Sequence, residues 1–109
     1  FVQSILESLK IPYTHSGVFS SNLAMDKELS RLLFIKSNLT VPKYFSLQRN
    51  DEINFKRKIK STKIKFPIVI KPVNEGSSLG VYICANNSQF KKNYKKLSKE
   101  LIRKILILY

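Results

Sequence analysis

The residues between Lys71 and Gly80 have the types and spacing best suited to chemistry in this chain. An apolar run, 66–70, ends at Lys71, and a loop of small residues follows it. Gly76 and Gly80 permit backbone angles that other residues avoid, and consecutive N–H groups in such a loop can converge on an anion. Because each charge-assisted hydrogen bond contributes about 1.5–3 kcal/mol, two or three of them would hold a polyphosphate. The pattern fits a phosphate-binding loop and, equally well, a hairpin turn beside a solvated lysine. It is not a Walker loop, which would end in Gly-Lys-Ser/Thr.

Lys27 is a second candidate for anion binding, because the sequence places it in the first turn of a helix. The positive end of the helix macrodipole disfavours a cation there by about 0.3 kcal/mol or more. A nearby anion would explain the lysine, whereas Asp26 and Glu28 could also offset the cost locally. The pattern alone leaves both interpretations open.

The elements that position these residues follow from apolar periodicity and capping signals. Asp26 is the predicted N-cap of a helix with leucines at three-four spacing, and Ser88 is the predicted N-cap of a helix with a lysine-rich outer face. The run 66–70 is typical of a strand buried on both faces, and with 81–85 it predicts a hairpin. The other predicted elements are a helix over 2–9, an irregular or short helical segment at 18–24, a helix from Asn50 onward, and strands over 43–47 and 105–109.

The composition is that of one small folded domain with a strong positive charge. The chain has 109 residues, 43% hydrophobic, and a formal net charge of +13. Residues 51–109 carry most of the excess, with fourteen basic side chains against four acidic ones. This charge favours polyanion binding, but the bases are mostly lysines without the interleaved aromatics or arginines of nucleic-acid binders. A solvated lysine surface is the preferred interpretation.

The sequence also bears on cellular location. The single Cys84 excludes an internal disulfide framework and fits a reducing compartment. No apolar run is long enough to suggest a membrane span, and no secretory signal is visible. A cytoplasmic protein is expected.

Five segments, taken in order, resemble D-alanine–D-alanine ligases of the ATP-grasp group. Segments 11–18 and 24–27 resemble the junction between the family's N-terminal and central domains, and Val41-Pro42 resembles the entry to the central domain. Segments 66–72 and 75–81 are similar to the family's nucleotide strand and glycine-rich loop. The resemblance covers essentially the whole chain in register.

The resemblance implies a fold and a reaction. The fold class is α/β (α+β): residues 25–109 would be the central ATP-grasp lobe, with a small antiparallel sheet and flanking helices. Residues 1–24 would be the tail of an α/β N-terminal domain. ATP would phosphorylate the carboxylate of one D-alanine, and the amine of a second would displace phosphate to give D-alanyl-D-alanine for peptidoglycan. ATP and Mg²⁺ are the implied cofactors, with no nucleic-acid or membrane partner and a homodimer for the intact enzyme.

The resemblance also assigns roles to single residues. Lys27 and Lys71 would contact the ATP phosphates, with Lys71 also beside the adenine, and the run 66–70 would form one wall of the adenine pocket. Ser77 would act in catalysis by helping to orient the first D-alanine. The loop that closes over the β- and γ-phosphates would consist of Glu75, Gly76, Ser77 and Ser78.

Departures from the family pattern and two alternatives complete the sequence-based picture. His15 stands where the family usually has a small residue and is interpreted as an ordinary loop residue. The family's Mg²⁺ ligands have no counterpart in this sequence, so metal ligands are expected outside it and the 109 residues alone are expected to be inactive. The alternatives are another ATP-grasp carboxylate–amine ligase, which would not need the signatures at 12–14 and 25–27, and a basic nucleic-acid-binding module with steeply salt-dependent binding.

Overall fold

The computed structural model describes residues 1–75, 79–100, 102 and 104–109. Every predicted helix and strand is present in this part of the chain, and the segment at 18–24 is helical. No helix within it has the length and apolar character needed to cross a membrane. The elements are α1 (Val2–Ser8), α2 (Val18–Met25), α3 (Lys27–Lys36), β1 (Tyr44–Gln48), α4 (Glu52–Thr62), β2 (Ile68–Pro72), β3 (Tyr82–Cys84), α5 (Asn87–Lys99) and β4 (Lys104–Leu108).

The four strands form one antiparallel sheet in the order β1-β4-β2-β3. The last strand, β4, lies between β1 and β2, so that Leu108 stands opposite both Tyr44 and Val69. Strands β2 and β3 form the predicted hairpin, with Ile68 opposite Cys84. A small antiparallel sheet with flanking helices confirms the predicted fold class.

The main core lies between one face of this sheet and helices α4 and α5. Because side chains alternate across a strand, every second residue of β2 and β4 points into it. Ile70 and Ile107 are fully buried there. Phe55 of α4 stacks on Phe90 of α5 with ring centroids 3.7 Å apart, which joins the two helices over the sheet.

Two polar contacts tie these helices to β1. The buried hydroxyl of Tyr94 donates to the carbonyl of Gln48 at 2.6 Å and accepts from the N–H of Asp51 at 2.8 Å, so α5 fixes the turn that leads into α4. The ammonium of Lys58 donates to the carbonyl of Ser46 at 2.6 Å along the outer side of β1. Both contacts satisfy backbone groups that the sheet itself leaves free.

Helix α3 lies against the opposite face of the sheet and is attached there by its first turn. The N–H of Lys27 donates to the carbonyl of Val73 at 3.1 Å. The carboxylate of Glu28 accepts from the hydroxyl of Ser46 at 2.8 Å and pairs with the ammonium of Lys104. The apolar cluster on this face is smaller than the main core and consists of Val73, Leu106 and Leu108, with Tyr44 and Val69 packed against it.

The start of α5 differs from the prediction. Asn86, not Ser88, is the N-cap, and its side-chain oxygen accepts from the N–H of Gln89 at 3.0 Å. Since Asn86 already satisfies a first-turn donor from extended backbone, the helix begins at Asn87 and takes Ser88 into its first turn.

The burial of β2 also differs from the prediction. The strand begins at Ile68, after Pro67, which has no N–H to give to a sheet. Its burial alternates, with Val69 and Lys71 only partly covered, so it is not buried on both faces. The strand buried on both faces is β4, the central one, in which residues 105–108 are all buried. The position of a strand in the sheet, rather than a run of apolar residues, decides which strand is buried on both faces.

Candidate phosphate-binding site

Lys27 lies at the point where β2 ends and the glycine-containing loop begins. The side chain of Asp26 caps α3 by accepting from the N–H groups of Glu28 and Leu29, each at 2.9 Å, which confirms the predicted N-cap. The ammonium of Lys27 then reaches across to the carbonyl of Val73 at 3.3 Å and to that of Glu75. The two segments that the sequence singled out are therefore in direct contact.

Lys71 extends from β2 on the face that α3 covers. It is two residues beyond Val69, and strand alternation puts both side chains on that face. Burial lowers the pKa of Lys71, and the positive charges of Arg31 and Lys27 lower it further. The structure thus brings Lys27 and Lys71 into one electropositive region.

Arg31 is the residue of this region that the sequence analysis missed. Its guanidinium carbon lies 5.5 Å from the centre of the Tyr44 ring. Burial lowers the pKa of Arg31, and the neighbouring Tyr44 opposes that shift. The signal for it was available, since Arg31 follows Lys27 by four residues and residues so spaced share a helix face.

The charge of Lys27 is also partly desolvated. Burial lowers its pKa, while the negative charges of Glu75 and Asp26 act in the opposite direction. Lys71, by contrast, has only cations among the groups that shift its pKa. Three cations held close together with partial loss of solvent favour an anion at this place, because an anion relieves both the repulsion and the desolvation.

The loop after β2 is described at its two ends. Glu75 is exposed, and its carbonyl accepts from Lys27. Gly80 has a φ of +69°, which confirms the special backbone expected there, and a Cβ at this position would lie 2.9 Å from Cδ2 of Leu97. Alanine would therefore be both strained and crowded. The predicted loop residues Gly76, Ser77 and Ser78 lie outside the described residues.

A cavity of about 380 Å³ opens beside Lys27, between the start of α3 and the end of β2. Two of its three carboxylates are already engaged, since Asp26 caps α3 and Glu28 pairs with Lys104, and the third, Glu75, is exposed. Within residues 1–75, 79–100, 102 and 104–109, no three His, Cys, Asp or Glu side chains are grouped to hold a metal ion. The described residues therefore offer no cluster of side-chain ligands for Mg²⁺. The cavity is lined by Asp26, Glu28, Pro72, Val73, Asn74, Glu75, Ile102 and Lys104.

The run 66–70, expected to be one wall of an adenine pocket, is divided between the two faces of the sheet. Ile68 and Ile70 are fully buried in the main core beneath α4 and α5. Val69 lies on the face of Lys71 and packs in the smaller cluster. Only Val69 of these three is placed to contact a ligand held by Lys71.

A small antiparallel sheet that presents two lysines beside a glycine-containing loop is the arrangement of the phosphate-binding lobe of ATP-grasp enzymes. Comparison with known proteins agrees and is more specific. The family model described as D-ala D-ala ligase C-terminus matches residues 33–107. The chain belongs to the D-alanine–D-alanine ligase family.

Two relatives and one solved structure also match most of this chain. The D-alanine–D-alanine ligase of Pelagibacter ubique is 48% identical over 98 residues, which are 89% of this chain and 32% of that protein. The ligase of Wolbachia pipientis wMel is 37% identical and matches 97% of this chain and 32% of its own length. The crystal structure of the Bacillus anthracis ligase superposes with a TM-score of 0.83 at 32% identity, covering 98% of this chain and 34% of that one. The chain spans about a third of the length of these relatives.

Proposed function

We propose that this chain is the phosphate-binding part of an enzyme that joins two D-alanines at the expense of ATP, for peptidoglycan synthesis. The observation that carries the proposal is the convergence of Lys27 and Lys71 at the start of the glycine-containing loop. The relatives are named D-alanine–D-alanine ligases, and one similar structure, from Bacillus anthracis, is a complex with ATP (29% identical, TM-score 0.80).

In this proposal the lysines neutralise the phosphate charge of ATP. Lys27 and Lys71 contact the phosphates from α3 and β2, and Lys71 also lies beside the adenine, next to Val69. The loop Glu75, Gly76, Ser77 and Ser78 closes over the β- and γ-phosphates with its N–H groups, and Ser77 helps to orient the first D-alanine. A desolvated cation acts more strongly on developing charge than a solvated one.

The proposed reaction has two displacements. The carboxylate of the first D-alanine attacks the γ-phosphorus, forming an acyl phosphate and releasing ADP. The amine of the second D-alanine then attacks the acyl carbon, and inorganic phosphate leaves. The residues of this chain contribute positioning and electrostatic stabilisation, the main protein contributions to phosphoryl transfer. Mg²⁺ would be held by residues outside this sequence.

The proposal includes a domain assignment. Residues 1–24 are assigned to the tail of the N-terminal domain and residues 25–109 to the central ATP-grasp lobe. The attachment of α3 to the sheet through Lys27 and Glu28 supports a boundary just before these residues. The intact enzyme is proposed to be a cytoplasmic homodimer.

The test is ATP-dependent phosphate release with D-alanine, comparing this chain with one extended to the length of its relatives. We expect phosphate release by the extended chain and none by this chain. Lys71→Met in the extended chain should lower kcat/KM by about 100-fold or more, because it removes a desolvated charge at the phosphates. Lys95→Met, on the outer face of α5, is the matched control and should leave kcat/KM unchanged.

Two results would count against this function. Phosphate release that depends on another carboxylate or amine, and not on D-alanine, would indicate a different ATP-grasp ligase. An equal loss of activity in the Lys71 and Lys95 variants would indicate that general positive charge, rather than a built site, carries the activity.

A further inference from the structure

The position of Arg31 is set by the same helix that positions Lys27. Arg31 lies one helical turn after Lys27, on the side of α3 that faces the sheet. The ring beneath its guanidinium belongs to Tyr44, which pairs across the sheet with Leu108 and, through Leu108, with Val69. Arg31 therefore lies over the cross-strand row formed by Tyr44, Leu108 and Val69. Lys71 belongs to the next row on the same face of the sheet.

The bonding of Arg31 is incomplete. Its Nε atom is buried and has no hydrogen-bond partner. No described carboxylate pairs with Arg31 or Lys71, and the acid closest in sequence to Arg31, Glu28, is engaged by Lys104. The great majority of buried donors in proteins have a hydrogen-bond partner. The unsatisfied nitrogen of Arg31, next to Lys71, therefore indicates an acceptor that is not among the described residues. An anionic acceptor would at the same time balance the two cations.

We infer that Arg31 is a third cation of the phosphate site and contacts the polyphosphate of the nucleotide together with Lys27 and Lys71. This inference rests on the proposed function for the identity of the nucleotide. Arginine suits the role because its planar group forms two parallel bonds to phosphate oxygens, whereas lysine acts as a point charge. The centre of the Tyr44 ring lies 5.5 Å from the guanidinium carbon, a distance at which the ring attracts the cation.

A structural role for Arg31 is the competing interpretation. In that case the arginine would serve only to pack α3 on Tyr44. Its loss would then lower stability and weaken every ligand of the site alike. A contact with phosphate, by contrast, affects only ligands that carry phosphates.

The test measures binding by calorimetry in the chain extended to the length of its relatives, with ATP, inorganic tripolyphosphate and adenosine as probes. Arg31→Gln should weaken ATP and tripolyphosphate about tenfold, the effect of one charge-assisted contact, and leave adenosine within about twofold. Arg31→Lys should recover part of the loss. Lys95→Gln, on the other side of the sheet, removes the same charge and should change none of the three affinities.

The other outcomes overturn this inference, the proposed function, or both. Equal weakening of ATP and adenosine would assign Arg31 a packing role, which a lowered melting temperature would corroborate. Equal sensitivity of tripolyphosphate to the Arg31 and Lys95 variants would show unspecific charge attraction. Phosphate release with D-alanine is measured separately. If the wild type binds ATP without such release, the ligase proposal fails while the binding series still decides the role of Arg31. If it binds neither ATP nor tripolyphosphate, both fail.

Discussion

The helical segment 2–36 and the sheet unit 44–108 are stabilised in different ways. No residue of α1, α2 or α3 is buried, whereas every buried hydrophobic residue found in the described part of the chain lies from Phe45 onward. Leu32 of α3 is 52% exposed, while Leu97 of α5 is fully buried. Both leucines belong to amphipathic helices, so the sequence pattern alone does not reveal whether a partner covers the apolar side.

The overall shape reflects this difference. The radius of gyration is 16.2 Å, compared with about 13 Å for a compact domain of this length. The candidate site lies where the two regions meet, since Lys27 and Arg31 come from the helical segment and Lys71 from the sheet unit. Stability therefore resides in one region, while the proposed ligand binding depends on the joint between both.

The largest expected effect tests where the stability resides. Phe90→Ala, in the fully buried aromatic stack, should lower the free energy of unfolding by about 3–5 kcal/mol. Leu32→Ala, on a half-exposed helix face, should lower it by about 1 kcal/mol or less. Urea unfolding followed by circular dichroism measures both. Similar losses in the two variants would show that the helical segment belongs to the same cooperative core.

Much of the sheet unit could be predicted from local signals. The hairpin followed from two apolar runs around a glycine-containing loop, and the start of α3 followed from Asp26. The central place of β4 could not be read from the sequence, because strand order depends on contacts between segments far apart in the chain. The same reason explains why β2 was wrongly expected to be the doubly buried strand.

The candidate site could be predicted in part. Lys27 and Lys71 each stood out through a local feature, a helix start and a strand end. Arg31 had only its four-residue spacing from Lys27 to mark it, and its relevance becomes clear once α3 lies on the sheet beside Lys71. Glu28 places α3 there by contacting Ser46 and Lys104, which are 18 and 76 positions away from it along the chain. Apolar periodicity does not detect contacts between residues so far apart.

A smaller effect is expected when the joint itself is weakened. Glu28→Gln removes the ion pair with Lys104, which is only partly buried, so the free energy of unfolding should fall by about 1 kcal/mol or less. ATP affinity should nevertheless fall about threefold to tenfold, because Lys27 and Arg31 lose their fixed position relative to Lys71. Calorimetry and urea unfolding provide the two values.

The matched control for this variant is Glu52→Gln, which changes the first-turn acid of α4 on the other side of the sheet. It should leave ATP affinity unaltered. Should Glu28→Gln also leave ATP affinity unaltered, the attachment of α3 by its first turn would not be what aligns the cations.

The smallest effect concerns pH. Because the pKa of Lys71 lies below its ordinary value of 10.5, ATP affinity should decline as the pH rises through that lowered pKa. Arg31→Gln removes one cause of the shift, so the decline should move to higher pH. Lys71→Arg should abolish the contribution of this position to the pH dependence of ATP affinity, since arginine keeps its charge.

The stability of the unliganded protein should also depend on pH. Between the lowered pKa of Lys71 in the folded protein and its ordinary pKa in the unfolded chain, the unfolded chain binds more protons, so stability should rise with pH in that window. Both predictions are tested by measuring ATP affinity and the free energy of unfolding from pH 7 up to the highest pH at which the protein stays folded.

The contact between Lys58 and the carbonyl of Ser46 has a consequence for self-association. Strand β1 is an edge of the sheet, and an edge normally offers free carbonyl and N–H groups to the strand of another molecule. Here one of those carbonyls is occupied by an ammonium group, and its charge repels a second copy with the same edge. The opposite edge, β3, is only three residues long and offers little to pair with. A chain with a half-exposed apolar helix is in this way protected from adding strands at either side of its sheet.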